Sequence, residues 1–100
     1  MNEHTYTYKE ILEFIKKADL VLGDIYTLDA DDPLRIALYD MEQALAYIHS
    51  KQLQDIYRLM LSGNSVNRIA NLTGSYERAV YRKVKTLVEL LVYYMNHQNK

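Results

Sequence analysis

Residues 67–85 read NRIANLTGSYERAVYRKVK. Two apolar patterns at helical spacing meet here across one glycine. Ile69 and Ala70 come first, Gly74 stands four residues after Ala70, and Val80 and Val84 follow one turn apart. Two short helices in tight contact need residues of these kinds. A small side chain must lie where the second helix crosses the first, and Ala70 supplies it. The reversal between them needs a left-handed backbone residue, which glycine adopts at least cost. The second helix must then turn apolar residues back onto the first, as Val80 and Val84 do at helical spacing. The full string, Ile69, Ala70, Leu72, Gly74, Val80 and Val84, runs without a gap.

Working outward, the same periodicity continues through the chain. Only three Gly and one Pro interrupt it, and no alternating strand pattern appears. A first helix is expected over about Tyr8 to Leu22, with Ile11, Leu12, Ile15 and Val21 inward and Gly23 as its stop. The stretch DIYTLDADDP, residues 24–33, reads as a turn-rich connection. Asp32 before Pro33 has the form of an N-cap followed by proline in the first turn. A second helix then runs to about Ser50, burying Leu34, Ala37, Leu38, Met41, Leu45 and Ile48. A third covers about Leu53 to Ser62, with Leu53, Ile56, Tyr57 and Met60 on one face and Gly63 as its stop. Ser65 caps a short fourth helix, Val66 to Leu72. The last helix begins near Ser75 and reaches His97. The expected class is all-α, with about five helices.

The totals agree with one compact domain. The chain has 100 residues, 49% of them apolar, and no cysteine, so neither a disulfide framework nor a thiolate metal site is available. No apolar run approaches the roughly 18 residues of a membrane span, and MNEHTYTYKE at residues 1–10 lacks the pattern of a secretion signal. A cytoplasmic protein is the expectation. The net charge of −1 hides an asymmetry. Residues 1–50 hold four Lys/Arg and ten Asp/Glu, a formal −6, whereas residues 51–100 hold eight Lys/Arg and three Asp/Glu, a formal +5. Such a split predicts two surfaces with different partners: an acidic helical part over 1–50 and a basic part over 51–100.

The spacing from Ile69 to Val84 is that of a helix-turn-helix. The upstream residues IYRLMLSGNSVNRIA, 56–70, extend the likeness. They resemble region 4 of bacterial sigma factors, in which an apolar helix is followed by Gly-x-Ser-x-x-x-Ile-Ala; Gly63, Ser65, Ile69 and Ala70 hold those places. The stretch is also similar to small phage transcriptional activators built on that unit. The likeness covers about Leu53 to Leu91, and residues 1–50 match no such pattern. One departure is plain. After the turn glycine these families usually carry an apolar residue and then a Ser/Thr cap, whereas this chain has Ser75 and Tyr76, which moves the expected cap back by one residue.

With Val80 and Val84 inward, Tyr76, Glu77, Arg78, Tyr81, Arg82 and Lys85 face outward. Arginine bonds bidentately to guanine in the major groove, and Arg, Lys and Tyr all reach phosphates. The resemblance implies that this second helix, about Ser75–Lys85, is a recognition helix lying in the major groove of double-stranded DNA. Tyr76, Arg78, Tyr81 and Arg82 are the candidates for base edges. Asn64, Ser65, Arg68, Lys83 and Lys85 are the candidates for the DNA backbone, the first two because N–H groups at a helix start suit phosphate. Glu77 opposes phosphate but can accept from cytosine N4.

Other chemistry is weakly signalled. His4, His49 and His97 have no partner at ligand spacing, so no metal is expected. Asp29, Asp31 and Asp32 lack the glycine and closing glutamate of a calcium loop, and capping explains them better. There is no Gly-rich phosphate loop and no paired nucleophile and base, so neither catalysis nor a cofactor is expected. Ten tyrosines suit interfaces, because the ring buries apolar area while the hydroxyl stays wet. For most of them, partial burial at the core edge is the simpler account.

In the last helix, Val84, Leu87, Val88, Leu91 and Met95 form one apolar stripe, which Leu90, Val92, Tyr93 and Tyr94 widen beyond a single face. A helix apolar on most sides is buried on most sides. The cover is either the first helix or a second copy. A homodimer through Leu87, Leu90, Leu91, Tyr94 and Met95 is the expectation, which would suit a palindromic site. The functional expectation is a sequence-specific DNA-binding transcriptional regulator of phage or mobile-element type, the last part by analogy alone. Two other readings use the same scaffold. In one, the acidic half binds a protein partner, for example as an inhibitor. In the other, the recognition helix serves DNA packaging or recombination.

Overall fold

The computed structural model describes residues 5–20 and 29–97. Among them are five helices and no strand: α1 (Tyr8–Leu20), α2 (Pro33–Leu45), α3 (Lys51–Leu61), α4 (Val66–Thr73) and α5 (Glu77–His97). The all-α class expected from periodicity is the class observed. The readings that fall on Val21, Leu22, Gly23 and residues 24–28 lie outside the described residues.

Each start and stop has a local cause. Thr7 and Glu10 form a capping box at α1: Thr7 Oγ1 accepts from the Glu10 N–H at 3.2 Å, and Glu10 Oε1 accepts from the Thr7 N–H at 3.0 Å. Asp32 Oδ1 accepts from the Leu34 N–H at 2.9 Å, with Pro33 opening α2 as expected. Ser50 Oγ accepts from the Leu53 N–H at 3.2 Å, which starts α3 at Lys51, two residues before the sequence expectation. α2 stops at Leu45 rather than Ser50, because the chain tightens there: the Tyr47 N–H bonds to Ala44 O and the Ile48 N–H to Leu45 O. Ile48 still reaches the core, from the turn. Gly63 and Gly74 both have positive φ, 87° and 68°. They are the stops that their positions predict.

α5 is the axis. Twenty-one residues long, it extends about 31 Å at the usual helical rise, and α1, α2, α3 and α4 all pack against it. α1 also packs on α2 and α3, and α3 on α4. The core at this junction includes Ile11 and Ile15 from α1, Ala37, Met41 and Ala44 from α2, Ile56 and Tyr57 from α3, and Ile69 from α4. They meet Val80, Leu87, Val88 and Leu91 of α5. Leu12, Leu38 and Met60, expected inside, are only half-buried at its rim.

Three of the five residues expected at a dimer interface lie in the core. Leu87 and Leu91 are 0% exposed and Met95 is 3% exposed within the single chain. α1, α2 and α3 all pack on α5, and these three residues have no surface to offer a second copy. Leu90 and Tyr94 are half-buried, and the Tyr94 ring stacks on Tyr47 at 5.5 Å.

The ends of the fold are also joined. The Tyr6 N–H donates to Asn96 Oδ1 at 2.7 Å, and Asn96 Nδ2 donates to the Tyr6 carbonyl at 2.9 Å. The Tyr6 hydroxyl donates to Asp40 Oδ2 at 2.8 Å. Burial, followed by this bond and the Asp40 charge, pushes the Tyr6 phenol well above its ordinary range. Tyr57 is 0% exposed, and its hydroxyl makes no hydrogen bond of regular geometry among the described residues. Burial first, and then the Glu42 charge, raises its phenol too.

Both phenols therefore resist ionisation when folded but ionise near pH 10 when unfolded. The folded chain then holds more protons, so stability is full below about pH 10 and falls above it. The expected loss is more than about 1 kcal/mol per pH unit for each phenol. Urea midpoints measured from pH 8 to 11.5 check this. Tyr57→Phe should roughly halve the alkaline slope, and an equal slope in both proteins would contradict the burial argument.

Candidate nucleic-acid interface

The junction of α4 and α5 is built as its sequence requires. Ser65 Oγ accepts from the Arg68 N–H at 3.2 Å and starts α4. Ile69 and Ala70 are buried at 0% and 5% exposure. The Ser75 N–H bonds to Ala70 O at 2.9 Å across Gly74, and Thr73 Oγ1 donates to Ile69 O at 2.7 Å. Val80 and Val84 return to the core at 1% and 7% exposure. Leu72, the remaining apolar residue of the pattern, faces solvent at 54% exposure.

The expected cap of α5 is not formed. The Ser75 hydroxyl instead lies against Thr73 Oγ1 at 3.2 Å. The helix begins at Glu77, with the Val80 N–H bonded to the Tyr76 carbonyl at 3.1 Å. Glu77 in the first turn complements the positive end of the helix dipole.

All six residues expected on the outer face are exposed: Tyr76, Glu77, Arg78, Tyr81, Arg82 and Lys85. Tyr76 is 86% and Tyr81 61% exposed, values that a core-edge role does not account for. Of the backbone candidates, Arg68 is exposed and Lys83 is half-buried. Asn64 is half-buried, and its Nδ2 is engaged by Leu59 O at 2.9 Å. With Ser65 Oγ occupied as a cap, the side chains of Asn64 and Ser65 offer less than their position suggested.

The ion pairs lie away from this face. Among the described residues the ion pairs are Lys51–Asp55 within α3 at 3.2 Å and Arg58–Glu42 between α3 and α2 at 2.9 Å. Arg68, Arg78, Arg82, Lys83 and Lys85 have no carboxylate partner among the described residues. From Ser65 to Thr86 stand five cations and a single carboxylate. That carboxylate, Glu77, accepts from Asn67 Nδ2 of α4 at 2.5 Å. The contact ties the two helices together and engages the one opposing charge. Spacing alone gives no sign of it, because residues 67 and 77 meet only through the crossing of α4 and α5.

The other candidates stay apart. His97 Nδ1 lies 2.6 Å from the Tyr93 carbonyl and its ring stacks on Tyr93 at 4.3 Å. His49 is exposed, and His4 lies outside the described residues. No group of three metal-ligating side chains is found among the described residues. No helix among them is long and apolar enough to cross a membrane.

Comparison with protein-family models, with curated proteins and with solved structures finds no match to this chain.

Proposed function

We propose that the chain is a sequence-specific double-stranded DNA-binding protein acting in transcription regulation, with the start of α5 inserted in the major groove. One observation carries this reading: a row of exposed, unpaired cations and tyrosines on the outward side of a helix fixed behind a left-handed glycine turn. A solvated surface helix usually interleaves both signs, whereas here the single acid is bonded to Asn67. In this reading Tyr76, Arg78, Tyr81 and Arg82 meet base edges, and Arg68, Lys83 and Lys85 hold phosphates. The first N–H groups of α4, beside Ser65, face the backbone. Leu87, Leu91 and Met95 belong to the core, so the reading does not place a second copy on them. The phage or mobile-element setting rests on the likeness of residues 53–91 to sigma region 4 and its phage relatives.

The test is selection of bound duplexes from a random pool, followed by affinity measurement against salt. The expected result is an enriched motif and binding that weakens steeply with salt, because each neutralised phosphate releases counterions. A protein that ignores every duplex at low salt and co-purifies with a protein partner would overturn the reading in favour of an interaction module.

A further inference from the structure

A cleft of about 670 Å³ opens between α1, the α3–α4 turn and α5. Leu12, Ile15, Ile69 and Val84 contribute an apolar floor. Tyr8, Lys16, Ser65 and Tyr81 also line it, and no carboxylate does. Lys16 and Tyr81 are exposed. Neither the Lys16 ammonium nor the Tyr8 or Tyr81 hydroxyl has a hydrogen-bond or ion partner among the described residues.

We propose that this cleft seats a phosphodiester of the DNA backbone, and that Lys16 of α1 neutralises it. The inference rests on the DNA-binding reading above and extends its interface into the acidic half. A phosphodiester presents anionic oxygens that accept hydrogen bonds, attached to sugars with apolar faces. The cleft offers the complement: one cation, the unengaged Tyr8 hydroxyl and an apolar floor, with no acid in its lining. Its place in the fold selects duplex backbone over a free small anion. Tyr81 belongs both to the outer face of α5 and to the cleft, so a strand read by α5 runs on directly into it. Residues 1–50 are acidic in total, yet three of their four cations, Lys9, Lys16 and Lys17, lie on α1, the helix that forms this wall. α1 also carries Glu10, Glu13 and Asp19 and is neutral in total, so it is Lys16 alone, in a lining without a carboxylate, that brings positive charge to this wall.

The test uses the full chain and the duplex enriched by selection, with affinity measured from about 50 to 200 mM salt. One phosphate contact contributes about 0.9 to the slope of log affinity against log salt. Lys16→Ala should lower the magnitude of that slope by about this amount. The advantage of the wild type over the variant should then shrink roughly threefold across the range. Lys17→Ala is the control: it lies one residue on, about 100° further round the helix, and does not line the cleft. Its slope should match the wild type. Equal slopes for all three proteins, or equal loss in both variants, would overturn the phosphate seat while leaving duplex binding intact. Failure of the wild type to bind any duplex would remove the function reading and this inference together.

Discussion

A variant carrying both Arg78→Ala and Arg82→Ala is expected to lose at least roughly thirtyfold in affinity for the preferred duplex and to lose most of its preference over random sequence. Each bidentate arginine–guanine contact discriminates by about 1–3 kcal/mol, so removing two costs at least about 2 kcal/mol, which converts to that factor. Both side chains are exposed and neither has a carboxylate partner among the described residues. Folding stability should therefore move by no more than about 0.5 kcal/mol, and helical signal and thermal midpoint should be unchanged. Lys85→Ala makes the informative contrast. A phosphate contact weakens binding to all sequences alike and lowers the salt slope, whereas a base contact changes the ratio of specific to random binding. A double variant that keeps its specificity ratio would show that α5 does not read bases.

The pattern from Ile69 to Val84 was legible because its geometry is local. Helical periodicity decides which residues turn inward, and the only non-standard backbone it needs is at Gly74, where glycine is the natural choice. The outward set followed by the same rule, so Tyr76, Arg78, Tyr81, Arg82 and Lys85 all came out exposed as expected. The Thr7–Glu10 capping box is equally local, a Thr-x-x-Glu pattern in the sequence. What could not be read are features that depend on how helices cross. Asn67 meets Glu77, and Lys16 meets the cleft beside Ser65, only once α1, α4 and α5 are in place. The burial of Leu87, Leu91 and Met95 within one chain depends on packing in the same way. The breadth of their stripe announced that it is covered but left the first helix and a second copy both open, whereas in the structure α1, α2 and α3 all pack on α5. The role of α5 as common axis likewise follows from packing, not from its own sequence.

That distinction between core and interface has a measurable form. Leu91→Ala is expected to destabilise the chain by about 2–5 kcal/mol, the cost of deleting a buried leucine side chain and leaving a cavity. Leu91 is 0% exposed within one chain and belongs to the cluster that joins α1, α2 and α5. For a domain of this size, each kcal/mol lowers the thermal midpoint by about 4–8 °C, so the effect should be plain in either a thermal or a urea transition. Protein concentration separates the two origins. If the stripe were a dimer interface, association would contribute to stability, and the wild-type midpoint would rise with concentration while that of the variant rose less. If the stripe is core, wild type and variant should each give one midpoint over about a hundredfold range of concentration, with a constant gap between them. A gap that widens with concentration would return Leu91 to an intersubunit surface. A constant gap fits α1 and α2 packing on α5 within one chain, leaving its basic N-terminal face as the part open to a partner.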